Sequence, residues 1–178
     1  MPPHPKRPNV YLIGPMGSGK TAVGRQLARL LHLQFHDSDV EIERRTGVDI
    51  PYIFEKEGEA GFREREREVI DALTLLPDVV IATGGGAVLL PENRERLATR
   101  GQVVYLNTGV EQQLDRTRHG RQRPLLYTDD PESRLRELMA QRAPLYESIA
   151  QFTVATDGRH VRAVAEEIAQ LLQEPTVE

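Results

Sequence analysis

A strand–loop–helix segment near the start of the chain constrains the fold more than any other feature. Residues 10–13 are a short apolar run typical of a buried strand, and residues 21–31 are an amphipathic stretch that predicts a helix. Between them, residues 14–21 read Gly-Pro-Met-Gly-Ser-Gly-Lys-Thr and match the pattern G-x-x-x-x-G-K-S/T in full. Such a loop turns its backbone N–H groups inward around phosphate oxygens at a helix N-terminus. The segment therefore predicts a nucleoside triphosphate site.

Short apolar runs and amphipathic stretches alternate along the rest of the chain. The runs occupy residues 10–13, 33–35, 79–82, 103–106 and 152–154, and the helical patterns occupy residues 21–31, 59–75, 92–99, 110–117, 132–139 and 161–172. Four of the five runs are almost continuously hydrophobic, as expected of parallel strands covered on both faces. With 178 residues, the chain is predicted to form one α/β domain.

Composition excludes several classes of function. The chain has 23 Lys and Arg against 27 Asp and Glu, and a net-acidic protein with 5% aromatic residues does not favour nucleic-acid binding. The absence of cysteine excludes disulfides and thiol chemistry. The first eight residues lack the apolar stretch of a signal peptide, and no apolar run is long enough to span a membrane. We therefore expect a cytoplasmic protein with no nucleic acid and no membrane as a partner.

Three classes of nucleotide-binding protein remain: switch, motor and small-molecule kinase. A guanine-nucleotide switch would carry an Asn-Lys-x-Asp signature, which the sequence lacks. A motor would commonly have an apolar strand that ends in Asp-Glu, whereas the strand predicted at residues 79–82 is followed by Thr-Gly-Gly-Gly. The kinase class is therefore favoured. In such an enzyme Lys20 reaches the β- and γ-phosphates and the Thr21 hydroxyl binds Mg²⁺.

Two acids follow the second predicted strand. Asp37 and Asp39 are two residues apart, so they would point to one side if the extended geometry persists. One carboxylate would then act on Mg²⁺, and the other would accept a hydrogen bond or proton from a substrate hydroxyl. Alternatively, Asp37 or Ser38 caps the N-terminus of a helix that begins near Val40.

Glycine and arginine clusters complete the set of site residues. Gly84, Gly85 and Gly86 follow the third strand, where the lack of Cβ atoms lets a substrate lie against backbone N–H groups. A polar, arginine-rich segment at residues 119–130 is typical of a mobile cover, and we select Arg123 as the cation that stabilises charge on the transferred phosphoryl group. Residues 39–75 form a second insertion, too long for one crossover helix.

Six motifs in this order resemble the shikimate kinase family over about residues 9–172. They occupy residues 14–21, 35–39, 61–66, 82–86, 123–126 and 142–146. The resemblance implies a three-layer α/β fold of the P-loop kinase type, with a five-stranded parallel sheet, a substrate-binding insertion at about 39–75 and a lid at about 117–130. It also implies ATP- and Mg²⁺-dependent phosphorylation of the 3-hydroxyl of shikimate, a step towards chorismate and the aromatic amino acids, by a protein that we expect to be a monomer.

The resemblance also assigns site residues. Asp39, Arg63, Gly85 and Arg142 would contact shikimate, and Thr21 and Asp37 would serve Mg²⁺. The residues that would contact ATP are Gly17, Ser18, Gly19, Lys20, Thr21, Ala22, Arg116, Arg123 and Arg159. Lys20, Asp39 and Arg123 are the catalytic residues of this assignment.

The chemistry of the acceptor agrees with these residue types. Two arginines suit a carboxylate, because each guanidinium offers two parallel hydrogen bonds. Glu66 follows Arg63 by three residues and is expected to hold that guanidinium on the same helix face. Without the resemblance, Arg63 is more typical of a solvated face, because it begins the alternating Arg-Glu run at residues 63–68. Arg142 is expected just before a helix break at Pro144.

Two kinds of alternative stay open at this point. Another small-molecule kinase, such as a gluconate or nucleoside monophosphate kinase, would carry the same phosphate loop. A non-catalytic ATP-binding regulator would keep the fold without turnover, although Lys20, Thr21, Asp37, Asp39 and Arg123 are all present.

Overall fold

A five-stranded parallel sheet forms the centre of the structure, a computed structural model that describes residues 8–118 and 124–174. The strands are β1 (Val10–Ile13), β2 (Gln34–Asp37), β3 (Val79–Ala82), β4 (Gln102–Asn107) and β5 (Phe152–Ala155). Their order across the sheet is β2-β3-β1-β4-β5, and every neighbouring pair is parallel. The sequence prediction of a five-stranded parallel sheet is confirmed.

Helices cover both faces of the sheet. They are α1 (Lys20–Leu31), α2 (Ser38–Thr46), α3 (Ile50–Thr74), α4 (Pro91–Arg100), α5 (Val110–Arg118), α6 (Pro131–Ile149) and α7 (Val161–Gln173). Short 3-10 turns occur at Ala87–Leu89 and Pro124–Leu126. This arrangement is the expected three-layer α/β fold.

Each face of the sheet has its own apolar core because side chains alternate along a strand. Leu12 of β1 packs with Leu27 of α1 and Ile168 of α7 on one face. Tyr11 of the same strand packs on the other face with Ile70 of α3 and with residues of α4 and α6. All five named residues are fully buried. The two cores explain why the predicted strands are apolar at nearly every position.

Two helices differ from the sequence prediction. The insertion at residues 39–75 contains α2, which matches the helix considered near Val40, and α3, which begins nine residues before the predicted helix at 59–75. Gly58 lies inside α3 with φ 71°, so the two helical parts of that segment meet at a kink. The break predicted at Pro144 is wrong, since α6 runs through this proline to Ile149. Buried Arg142 and Tyr146 on either side anchor the helix across the position that lacks an N–H donor.

The parallel topology brings three chain segments to one edge of the sheet. The loop after β1, the start of α2 after β2 and the glycine turn after β3 all follow carboxyl ends of neighbouring strands. Ligands bind at this edge in open α/β sheets. Among the described residues, no helix has the length and apolar character needed to cross a membrane.

The packing of α1 gives a direct test of the core. Leu27 is fully buried between the sheet and α7, whereas Leu30 on the same helix is 37% exposed. We expect Leu27→Ala to lower the free energy of unfolding by about 2–5 kcal/mol, because it removes buried methyl groups and leaves a cavity. Leu30→Ala, the matched control, should lower it by less than about 1 kcal/mol in the same urea titration. Equal losses in the two variants would contradict the assigned packing.

Candidate active site

The loop between β1 and α1 forms a compact backbone turn around the side chain of Lys20. Gly17 and Gly19 have φ values of 76° and 87°, in the left-handed region that favours glycine. Lys20 is the first residue of α1, and its Nζ donates to Gly14 O at 2.6 Å and to Pro15 O at 2.8 Å. The ammonium is therefore buried against the loop itself. Binding a phosphate would replace these carbonyl oxygens with phosphate oxygens.

Asp37, the last residue of β2, contacts Thr21 in the first turn of α1, directly after the phosphate loop. Its Oδ2 accepts a hydrogen bond of 2.7 Å from the Thr21 hydroxyl. Its Oδ1 accepts from the backbone N–H groups of Asp39 and Val40, at 2.9 and 3.2 Å, which caps α2. The helix-cap interpretation left open by the sequence is thus confirmed, and the same carboxylate also contacts Thr21.

The Thr21 and Asp37 pair fits a magnesium ion by donor chemistry. A hydroxyl and a carboxylate oxygen 2.7 Å apart are hard oxygen ligands, the type that Mg²⁺ prefers. Across residues 8–118 and 124–174, no group of three or more His, Asp or Glu side chains could hold a metal by itself. The pair therefore suits an ion that takes its remaining ligands from phosphates and water.

Arg116 lies against the phosphate loop. Its Nη1 donates to Gly17 O at 3.0 Å, and the guanidinium covers Gly19. The family resemblance implied that Arg116 contacts ATP, near the adenine, and the structure puts its guanidinium on the backbone of the phosphate loop. Arg159, also predicted at the nucleotide, donates to Glu167 of α7 at 2.5 Å and to Ala155 O at 3.0 Å.

Asp157 is a residue of this region that the sequence analysis missed. Its Oδ1 accepts from the Thr108 hydroxyl at 2.7 Å and from Gly109 N at 3.0 Å. The hydrogen bond from Thr108 is the main cause that lowers the pKa of Asp157. The carboxylate therefore joins the loops that follow β4 and β5, beside the phosphate loop. An aspartate directly before Gly158 signals a turn, but not which loop it contacts.

A cavity of about 340 Å³ opens beside the phosphate loop. Residues that the sequence predicted for the site line this cavity, namely Asp39, Arg63, Glu66, Gly84, Gly85, Gly86 and Arg142. Ile50, Phe54 and Phe62 of α3 supply an apolar wall that the sequence analysis did not assign to the site. The spacing of these apolar residues resembles that of any core helix. Only their position around the cavity distinguishes them.

Asp39 reaches the cavity from a helix and not from an extended strand. β2 ends at Asp37, and Asp39 lies in the first turn of α2, so the predicted side-by-side extended arrangement is wrong. The helix forms here because Asp37 caps it. The Asp39 carboxylate faces Gly84, where an added Cβ would lie 2.8 Å from Asp39 Oδ1 and 2.9 Å from Glu66 Oε2. The Gly84 N–H donates to Ser38 Oγ at 3.0 Å.

Arg63 and Glu66 form a buried ion pair, as the sequence predicted. Arg63 Nη1 lies 2.9 Å from Glu66 Oε1, and Glu66 is fully buried. Burial raises the pKa of Glu66, and the adjacent Arg63 charge opposes this rise. The guanidinium lies on Gly86, where any Cβ would overlap it. The other residues of the alternating Arg-Glu run at 63–68 are more exposed. Arg63 and Glu66 are therefore the members of this run that face the interior.

Arg142 of α6 brings a second buried guanidinium to the cavity. It is 4% exposed, and burial lowers its pKa. Arg63 Nε, Arg142 Nε and Glu66 Oε2 are buried without a hydrogen-bond partner among the described residues. Arg63 pairs with Glu66 at 2.9 Å and with Glu59 at 3.4 Å, and Arg142 lines the same cavity. The two guanidiniums together can bind an anionic group of a ligand, and their unpaired Nε atoms can donate hydrogen bonds to it.

Gly85 is where the cavity meets the phosphate loop. An added Cβ at Gly85 would lie 3.3 Å from Met16 N and 3.5 Å from Arg142 Nη1. A ligand hydroxyl near Gly85 would therefore be close to a phosphate held by the loop. Arg123 lies outside the described residues, while Pro124 and Leu125 line the cavity.

Comparison with known proteins agrees with this geometry. The family model for shikimate kinase matches residues 16–173. A shikimate kinase from Halorhodospira halophila is 58% identical over 164 residues, which cover 92% of this chain and 93% of that protein. One from Acinetobacter baylyi is 56% identical over 165 residues, with 93% and 92% covered. A solved structure of shikimate kinase from Acinetobacter baumannii in complex with shikimate has a TM-score of 0.93 at 53% identity and covers 96% of each chain.

The double role of Asp37 can be separated by substitution. Asp37→Ala should lower the free energy of unfolding by about 1 kcal/mol, because the N–H groups of Asp39 and Val40 lose their acceptor. Asp37→Asn retains a capping oxygen and should stay within about 0.5 kcal/mol of the parent. Chemical denaturation of the three proteins measures both values. If Asn and Ala were equally destabilising, the side chain would not stabilise α2 as a cap.

Proposed function

The chain belongs to the shikimate kinase family, and from this premise we propose how it transfers the γ-phosphoryl group of ATP to the 3-hydroxyl of shikimate. The products are shikimate 3-phosphate and ADP, and the reaction is a step towards chorismate and the aromatic amino acids. The observation that carries the residue assignment is the convergence of two buried guanidiniums and the Asp39 carboxylate in one cavity beside the phosphate loop.

Shikimate is a small carboxylate with three hydroxyl groups, so it requires cations at one end and hydrogen-bond acceptors along the ring. We assign its carboxylate to Arg63 and Arg142, because each guanidinium can donate two parallel hydrogen bonds. We assign the reacting hydroxyl to Asp39, which faces Gly84, because the next residue, Gly85, lies against the phosphate loop at Met16. The backbone of Gly84, Gly85 and Gly86 would supply further N–H donors.

ATP is the co-substrate of this kinase family, and we propose that residues 17–22 hold its phosphates. Lys20 would exchange its two loop carbonyls for phosphate oxygens. Arg116 already contacts the loop backbone and would lie beside the nucleotide. For Arg159 to join the nucleotide site, it would have to give up its ion pair with Glu167. We assign Arg123 to the γ-phosphate on the basis of the family motif.

We propose Mg²⁺ as the metal that accompanies ATP, held by the Thr21 hydroxyl and supported by Asp37. When bound, the ion offsets negative charge on the phosphates. The 2.7 Å contact between these two side chains supports the assignment.

The transfer itself requires little covalent chemistry from the protein. We propose a direct in-line displacement in which Asp39 orients the 3-hydroxyl and takes its proton as the bond to phosphorus forms. Lys20 and Arg123 would stabilise the charge that develops on the phosphoryl oxygens. The segment at 117–130 would close over the site and exclude water.

We further propose that the enzyme acts in the cytoplasm as a monomer, without nucleic acid or membrane partners. The net charge of −4 supports the absence of nucleic acid and anionic membranes among its partners.

A panel of phosphoryl acceptors tests the proposed function. With ATP and Mg²⁺, we expect shikimate to stimulate ADP release. With gluconate or AMP, the rate of ADP release should equal the rate measured without any acceptor. A coupled ADP assay with each compound in parallel measures this. Turnover with gluconate or AMP instead would overturn the acceptor assignment. Nucleotide binding without turnover on any acceptor would favour a non-catalytic regulator.

The assignment of Asp39 predicts a selective loss of chemistry. Asp39→Asn should reduce kcat by about 10²–10⁴-fold, because an amide cannot take the proton of the hydroxyl. The Kd for ATP should stay within about threefold, measured by calorimetry. Glu68→Gln is the control, since this carboxylate of α3 is exposed and does not line the cavity. Loss of ATP binding in Asp39→Asn would indicate a structural role.

A further inference from the structure

Tyr146 is a buried residue that the proposed mechanism does not use. It lies on α6, one helical turn after Arg142, and is 1% exposed. Its hydroxyl donates to the carbonyl oxygen of Gly85, which lies 61 residues earlier in the chain. Its ring packs against Tyr105 of β4, with the ring centroids 5.0 Å apart. The hydroxyl is therefore anchored in the core and directed at the glycine turn.

We propose that Tyr146 is a positioning residue for the acceptor site, which holds both the glycine turn and Arg142 in the geometry that binds shikimate. The inference rests on the proposed function and deepens it, because it adds a residue that touches neither substrate. Two observations at Gly85 carry it: the hydrogen bond from the Tyr146 hydroxyl and the position of the Arg142 guanidinium.

The first contact sets the direction of a backbone donor. A trans peptide is planar, so the Gly85 C=O and the Gly86 N–H of the same unit point in opposite directions. By holding the Gly85 oxygen on the α6 side, Tyr146 turns the Gly86 N–H away from α6. Gly86 lines the cavity, and no described residue accepts a hydrogen bond from its N–H group. That N–H is thereby available to a ligand oxygen.

The second observation concerns Arg142. Residues four apart on a helix share a face, and Arg142 Nη1 lies 3.5 Å from the position that a Cβ on Gly85 would occupy, so Arg142 and the Tyr146 hydroxyl meet at the same glycine. Burial lowers the pKa of Arg142, and the neighbouring Tyr146 opposes the effect. Burial also raises the pKa of Tyr146, so its hydroxyl stays protonated and keeps its donor at physiological pH. One phenol therefore fixes a cation and a backbone donor relative to each other.

Tyr146→Phe removes the hydroxyl and leaves the ring in place. We expect the KM for shikimate to rise about tenfold or more, while the KM for ATP and kcat stay within about threefold. This split is expected because the displaced groups bind the acceptor equally in the ground and transition states. Steady-state kinetics with each substrate varied in turn measures it. Tyr146→Phe with a KM for shikimate within twofold of the parent would overturn the proposal.

Tyr105→Phe is the matched control. It removes the hydroxyl of the stacked neighbour, whose contact is Met139 Sδ at 3.9 Å and not the glycine turn. Its kinetic constants should stay within twofold of the parent. Thermal unfolding of both variants separates folding from positioning. A lower Tm in Tyr146→Phe with unchanged kinetics would assign the tyrosine a structural role and contradict the proposal.

A measurement on the parent protein keeps the test independent of how well the variant folds. With ¹⁵N-glycine labelling, the Gly86 amide resonance should shift on titration with shikimate. An unchanged Gly86 resonance at saturating shikimate would contradict the proposed direction of this N–H. If the parent phosphorylates shikimate but these outcomes fail, only the role of Tyr146 is wrong. If the parent does not use shikimate at all, the proposed function itself fails.

Discussion

The buried ion pair between Arg63 and Glu66 is the interaction on which the acceptor site depends. A guanidinium loses much of its hydration in such a cavity, and that cost is tolerated only with a nearby opposite charge. Glu66 compensates one guanidinium at 2.9 Å, while Arg142 adds a second. Because both guanidiniums line the cavity, they can together bind the carboxylate of a ligand. The same pair requires Gly86, because a Cβ there would overlap the Arg63 guanidinium.

Topology then decides where this charged cavity lies. β3 pairs with both β1 and β2, so the glycine turn after β3 lies between the phosphate loop and the start of α2. Gly85 contacts the loop at Met16, and Gly84 contacts Asp39. A phosphate donor and a hydroxyl acceptor held in these two places would be neighbours. Phosphoryl transfer depends mainly on positioning, so such proximity would supply much of the catalysis.

Sequence patterns predicted more of the fold than of the side-chain contacts. The five strands, the phosphate loop and the Arg63–Glu66 pair are found as expected, because each depends on residues close together in the chain. The extended arrangement of Asp37 and Asp39 and the helix break at Pro144 are not found. In the first case a helix cap ended the strand, and in the second the buried Arg142 and Tyr146 held α6 together. Local rules could not weigh those tertiary contacts.

The sequence by itself determined the nucleotide loop and the order of strands and helices, since a contiguous motif and hydrophobic periodicity encode both. The spacing of three residues predicted that Arg63 and Glu66 would pair, but only the tertiary structure decided that the pair is buried, since burial depends on what packs opposite. The contact of Tyr146 with Gly85 is of the same kind. It joins residues from distant parts of the chain, and no pattern local to either one specifies that they meet.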